Sequence, residues 1–197
     1  MRLVHRIHTT FHRRVDLLVR PAGAGLPGED LPGVRLARLD DASLPAYAVF
    51  RGRAAAAEAE RRLARGELCF AGWDGGEIVH VRWAALRRAH VDYLHRDLLM
   101  RDDDAYIFDI FTDSRQRRRG VATAVSHQAV GELHGLGCRR LVAVVAVENE
   151  AGQGISGAFG WRRIGRLACL RLGPLQIDLG AAPAGEGIRV VKPGQPG

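Results

Sequence analysis

Arg117, Arg118 and Arg119 stand directly before Gly120, and Val121 and Ala122 open the small-residue run that follows it. Cations crowded in front of a glycine that opens a helix make a cradle for an anion. The first N–H groups of a helix have no partner within it and carry the positive end of its dipole. Glycine lets an oxyanion come close to that backbone, and the arginines add charge at the same point. A phosphate group suits this arrangement. The loop is not that of a nucleotide hydrolase, because GxxxxGK[ST] occurs nowhere in the chain.

Two carboxylates have places where they could move a proton. Asp109 interrupts the apolar run AYIFDIFT, so it either faces a cleft or pairs with an arginine. Glu148 follows the apolar run LVAVVAV and precedes Asn149. Both are candidate general bases, and a structural ion pair is the alternative for each. Other clusters read as inert. His5, His8 and His12 have helical spacing but no carboxylate or cysteine beside them, so no metal is expected there. Asp102 to Asp104 read as a solvated turn and His127 as a surface histidine. Trp83 and Trp161 read as core.

These residues need elements to hold them. VRLARL at 34–39 alternates as a strand, and Asp40, Asp41, Ser43 and Pro45 begin a helix. The Ala/Glu/Arg stretch from Arg53 to Arg65 is strongly helical and stops at Gly66. ELCFAGW and EIVHVRWAAL flank Asp74, Gly75 and Gly76 as a hairpin. Val91, Leu94, Leu98 and Leu99 suggest a helix within 87–104. AYIFDIFT is a strand, and Ala122, Val125, Ala129 and Leu133 form one helix face that ends at Gly135 and Gly137. LVAVVAV is a strand buried on both faces. The last strands lie between Arg163 and Leu179. Strand, basic loop, helix and buried strand in that order make a right-handed β-α-β crossover with the arginines at the helix N-terminus.

The Gly/Pro-rich stretch 20–33 divides the chain. Its GxGxxG at Gly23, Gly25 and Gly28 holds Pro27 and is followed by Pro32, so no helix can open there and the segment reads as a linker. Residues 1–33 are expected to be an extension, 34–180 the functional domain and 181–197 a flexible tail. With 47% hydrophobic residues, a chain of 197 can bury one core. No apolar run is long enough to span a membrane and the N-terminus lacks a signal-peptide pattern, so a cytoplasmic protein is expected. Cys69, Cys138 and Cys169 are far apart among apolar residues and read as reduced thiols. The net charge of +7 favours anionic partners, yet only Lys192 among 29 basic residues is lysine, which points to arginine-biased coding. The arginine run also lacks interleaved aromatics, so it is weak evidence for nucleic acid.

The motif Arg117-Arg118-Arg119-Gly120-Val121-Ala122, with Asn149 and Phe159-Gly160-Trp161 after it in order, resembles the GCN5-related N-acetyltransferases. The resemblance covers about residues 34–178. It implies a mixed α/β fold with a central, mostly antiparallel sheet and one parallel crossover. It also implies acetyl-CoA or a longer acyl-CoA as co-substrate, without a metal. By this resemblance the pyrophosphate lies on the N–H groups of residues 117 to 122, and the pantetheine arm pairs with Ile110, Phe111 and Thr112. Asn149 holds the cofactor where two strands splay, and backbone N–H groups near Phe111 and Thr112 face the carbonyl oxygen. The chemistry implied is direct attack of a primary amine on the thioester. Ser156 occupies the position at which many members carry a tyrosine that protonates the thiolate, and Gly152, Gly154 and Gly157 crowd what is normally a regular helix. The resemblance leaves open an N-acyltransferase of unspecified amine and an acyl-CoA-binding module without transfer. A binder of acidic partners or nucleic acid is a third reading. It also leaves open a homodimer through the last strands.

Overall fold

The computed structural model describes residues 13–23, 31–150, 152–154, 159–172, 175–180 and 182–195. The strands are β1 Arg13–Pro21, β2 Val34–Arg38, β3 Leu68–Asp74, β4 Glu77–Leu86, β5 Arg88–Val91, β6 Arg96–Leu99, β7 Asp104–Thr112, β8 Arg140–Ala146, β9 Arg162–Leu172, β10 Leu175–Leu179 and β11 Arg189–Val191. The helices are α1 Leu44–Arg51, α2 Arg53–Ala64 and α3 Val121–Gly135. Asp40 caps the turn before α1, accepting from the Ser43 N–H at 3.0 Å, and Pro45 sits in the first turn of that helix, as the sequence suggests.

Eight strands form one sheet in the order β10-β9-β1-β8-β7-β4-β3-β2, and β11-β6-β5 form a second. Only β7 and β8 run parallel among the described pairings, with α3 as the crossover between them. The fold is therefore the mixed α/β arrangement with one parallel pair.

The two faces of the large sheet are packed differently. On one, α3 lays Val121, Val125, Ala129 and Leu133 over Phe70, Val79, Ala84, Ile107 and Leu141. Gly72 on β3 lets the helix come close. A Cβ there would stand 3.0 Å from Val125 Cγ2 and 3.2 Å from Val121 Cγ1. On the other face, α1 and α2 cover Cys69, Ala71, Val81 and Trp83. Ala85 continues that face of β4 two residues beyond Trp83. It packs in the neighbouring cluster, where the small sheet covers Val15, Leu17, Tyr106, Val142 and Leu167. Trp83 is fully buried and its Nε1 donates to the Tyr47 hydroxyl at 3.2 Å. Trp161 is partly buried against the α3 cluster.

Three expectations differ from the structure. Arg13–Pro21, assigned to an N-terminal extension, is a central strand between β8 and β9. Its buried run from Val15 to Arg20 closes both faces of the sheet at that point. The helix expected within 87–104 is the hairpin of β5 and β6. Its outer residues alternate with buried Ala89 and Val91, and the turn at Asp92–His95 brings Leu94 into the same cluster, so a helical stripe and a hairpin share those positions. The tail beyond 181 includes β11, which pairs with β6, and Glu186, which binds Arg140 at 2.8 Å and Arg162 at 3.1 Å.

Asp104 also departs from a solvated turn. It is fully buried, and Arg140 donates to both of its oxygens, at 2.7 and 2.6 Å, joining the starts of the parallel strands. Arg140→Met would leave that carboxylate buried without its partner. The expected loss is about 3–5 kcal/mol, read as a lower urea midpoint.

Candidate acyl-CoA site at the parting of two strands

β7 and β8 pair only from Asp104–Ile107 against Arg140–Ala143. Beyond that point β7 stays with β4 and β8 stays with β1, so a wedge opens between them. Its cause is a bulge. Trp83 faces Phe108 and Val81 faces Phe111, which sets Asp109 and Ile110 together against Arg82 alone. Asp109 takes φ 41, a left-handed conformation that a non-glycine residue holds only under local support. Support comes from α1 and α2. Arg51 Nη2 donates to Asp109 Oδ1 at 3.1 Å, and Arg62 Nη1 donates to Oδ2 at 2.6 Å. The bulge turns Ile110 and Phe111 outward, 50% and 38% exposed. Among the described residues, the β8-facing edge of Phe108–Thr112 has no strand partner.

The loop after β7 points this wedge at a helix terminus. Asp113 accepts from the Arg115 N–H at 2.8 Å and pairs with its side chain. The Arg115 bonds hold the Asp113 carboxyl down to about 2, so the cap stays ionised at neutral pH. Arg119 is drawn back to Asp74 at 3.4 Å and also donates to Gln116. Arg117 and Arg118 are exposed and have no ion pair among the described residues. Gly120, at φ 81, begins α3 without a side-chain cap, and the first helical bond there runs from Ala124 N–H to Gly120 O at 3.0 Å. The N–H groups of Val121, Ala122 and Thr123 thus precede the first bonded turn.

On the opposite wall, Asn149 lies just beyond β8. Its Oδ1 accepts from the Gly152 N–H at 3.0 Å, an N-cap to the turn at 152–154. A Cβ on Gly152 would come within 2.7 Å of Asn149 Nδ2, so a side chain there would have to displace this cap. Glu148 is exposed and accepts a hydrogen bond from the Tyr93 hydroxyl, which holds its carboxyl below the usual range. The Arg13 guanidinium lies 4.5 Å from the Tyr93 ring centre.

Thr112 reaches back into the protein. Its Oγ1 lies 2.8 Å from His80 Nδ1. His80 is fully buried beneath this edge, and its Nε2 has no hydrogen-bond partner. Burial, assisted by the nearby Arg82 charge, pushes its pKa down to about 3. The imidazole is therefore neutral at physiological pH, and one of its nitrogens is committed to the threonine.

The structure brings Asp109, Ile110, Phe111, Thr112, the 117–122 loop, Glu148 and Asn149 to the two sides of one wedge. Ser156 lies outside the described residues, as do His5, His8, His12, Gly25 and Gly28. His127 is exposed, and the three cysteines are buried and form no disulfide. Sequence reading did not find Tyr93, Arg51, Arg62 or His80 as parts of the site. His80 alone left a signal, a polar residue flanked by Ile78, Val79 and Val81 in EIVHVRW. A cavity of about 460 Å³ lies elsewhere, walled by residues of β6, β9, β10 and β11 and their flanking turns. No helix among the described residues is long and apolar enough to cross a membrane. No group of three or more His, Cys, Asp or Glu residues placed to hold a metal occurs among them.

The family model of the GNAT acetyltransferases matches residues 36–160, more than half of the chain, and the protein belongs to that family. A functionally unknown conserved protein from Staphylococcus epidermidis superimposes with a TM-score of 0.56 at 12% identity, covering 83% of this chain and 64% of that one. The chain thus spans a little under two thirds of that protein's length. The aminoglycoside 6'-N-acetyltransferase AAC(6')-Ih from Acinetobacter baumannii superimposes with a TM-score of 0.54 at 16% identity, covering 66% and 92%. The aminoglycoside N-acetyltransferase AAC(6')-Iy, in complex with CoA, gives 0.53 at 20% identity, covering 64% and 86%. At these identities the likeness establishes the fold. No curated protein sequence matches the chain significantly.

The His80 environment sets a pH dependence. An unfolded histidine titrates near 6.5, whereas the folded one titrates near 3, so the unfolded chain binds the extra proton first. The stability contributed by neutral His80 is complete above pH 6.5 and falls as pH drops towards 3. About 2 kcal/mol should be lost by pH 5, measured by urea unfolding, and this component should vanish in His80→Leu.

Proposed function

We propose that the protein is an acyl-CoA-dependent N-acyltransferase, with acetyl-CoA the simplest donor and a primary amine the acceptor. The observation that carries this reading is the parting of β7 and β8 in front of the uncapped start of α3. The residues present fit the cofactor. Ile110–Thr112 offer an unpaired strand edge to the amides of a pantetheine arm. The N–H groups of residues 117 to 122, the open side of Gly120 and the unpaired Arg117 and Arg118 suit a pyrophosphate. Asn149 retains its Nδ2 for the arm on the opposite wall.

When bound, acyl-CoA supplies an activated acyl group as a thioester. The chain's own residues then have three tasks. A base accepts the proton that the attacking ammonium must lose, N–H donors face the carbonyl oxygen, and an acid returns a proton to the departing sulfur. Glu148 is the proposed base, because it is exposed just beyond β8, next to Asn149. Both Asp109 oxygens are engaged by arginines, so Asp109 is proposed to hold the bulge rather than to take the proton. The backbone N–H of Thr112 is the proposed donor to the carbonyl, because it faces the free edge while that of Phe111 faces β4. Ser156 is proposed for the returning proton.

Acetyl-CoA should bind saturably in a calorimetric titration, and Gly120→Glu should abolish that binding. The added carboxylate repels the pyrophosphate, and the left-handed φ of 81 disfavours any side chain. Wild-type protein that fails to bind acetyl-CoA at millimolar concentration overturns the reading. Glu148→Gln should retain acetyl-CoA affinity while kcat falls by about 10²-fold or more.

A further inference from the structure

The side of the wedge covered by α1 and α2 carries more positive charge than the protein answers. α1 ends at Arg51, and Gly52, at φ 90, turns the chain directly into α2. This brings two arginines from consecutive helices onto the bulge of β7. The Arg51 guanidinium lies 4.2 Å from the centre of the Phe111 ring, and Phe50 meets the same ring edge-on at 5.4 Å. Arg51 and Arg62 share one carboxylate, Asp109. Arg62 has a second partner in Glu58 at 3.5 Å, whereas Arg51 has no other ion pair among the described residues. Arg51 Nη1 is buried and has no hydrogen-bond partner. A buried guanidinium donor left bare is costly, and a planar fork of this kind is best answered by a carboxylate.

Phe111 places this donor beside the reacting edge. Along β7, Asp109 and Phe111 face α1 and α2, while Thr112 turns the other way towards His80. On its α1 side the wedge has a flat aromatic wall, against which the Arg51 guanidinium packs with one arm paired to Asp109 and the other without a partner.

We infer that the acceptor amine carries a carboxylate, as an amino acid does, and that Arg51 is the group that binds it beside Phe111. The inference rests on the acyl-CoA reading of the β7 edge and specifies its acceptor. A polycationic amine would meet a surplus of like charge at this wall. In the transfer, the acyl carbon–sulfur bond breaks and a carbon–nitrogen bond forms. The ammonium loses one proton to reach its nucleophilic form and a second once the bond has formed, and the thiolate takes up one proton to leave as the free thiol. The acceptor carboxylate is unchanged. The same carboxylate chemistry could enter on the donor, as in succinyl-CoA, so the test separates the two sources.

Thiol release would be followed with acetyl-CoA and with succinyl-CoA. The acceptors would be the common amino acids, β-alanine, the matching amino acid amides, spermidine and kanamycin. Wild type, Arg51→Met and Asp109→Asn would be compared, with calorimetric acetyl-CoA binding checking that each variant is folded. The expected result is transfer from acetyl-CoA to an amino acid, with the matching amide at least about tenfold poorer in kcat/KM. Arg51→Met should raise KM for the acid about tenfold or more relative to KM for the amide. Asp109→Asn should lower KM for the acid, because the positive surplus grows.

Transfer that favours kanamycin, spermidine or the amides overturns the carboxylate assignment and leaves the transferase reading standing. So does an Arg51→Met variant with KM for the acid unchanged relative to KM for the amide. A preference for succinyl-CoA that disappears in Arg51→Met places the carboxylate on the donor and overturns its assignment to the acceptor. If wild-type protein binds acetyl-CoA but releases no thiol with any amine, the transferase reading itself falls, and the acceptor assignment falls with it.

Discussion

One backbone irregularity organises the site. Parallel strands in a sheet normally continue to pair until one of them ends, but here β7 and β8 separate while both are still extended. The extra residue at Asp109–Ile110 bends β7 away, and the edge that would have bonded to β8 is left for another molecule. The strained φ at Asp109 persists because two guanidiniums from the other side of the sheet hold its carboxylate. The ion pair therefore does structural work at a position whose chemistry looks catalytic from the sequence. Thr112 closes the same stretch through His80, so the edge is anchored on both faces of the sheet.

The charge of the protein is informative only when each arginine is followed to its partner. Arg140 belongs to Asp104, Arg166 to Asp16 at 2.8 Å and Arg96 to Asp178 at 2.7 Å. These pairs fasten strands together and explain much of the basic composition without any external ligand. The binding positions proposed above use guanidiniums that keep donors to spare. Arg117 and Arg118 front the helix terminus, and Arg51 overlooks the opposite wall.

Local chemistry made part of this legible in advance. The loop at 117–122 could be placed because glycine, arginines and a small-residue helix must coincide for an anion cradle to form. The hairpin of β3 and β4 and the buried strand β8 were written in turn residues and β-branched runs. The hairpin at 88–99 was not, because Val91, Leu94 and Leu98 satisfy a helical stripe as well as they satisfy two short strands and a turn. β1 was missed for a different reason. Its central place depends on pairing with Arg140–Ala146 and with β9, contacts far apart in sequence that no local pattern records. The Asp109 ion pairs have the same origin, since Arg51 and Arg62 are 58 and 47 residues away.

The central claim, that the bare edge of β7 and the start of α3 form one binding surface for acyl-CoA, is tested most directly by backbone hydrogen exchange with and without CoA. The account predicts that CoA slows exchange at Ile110–Thr112 and at residues 117–123 together, with little change in β9, β10 and β11. Protection confined to another part of the molecule, or no protection at saturating CoA, would contradict it.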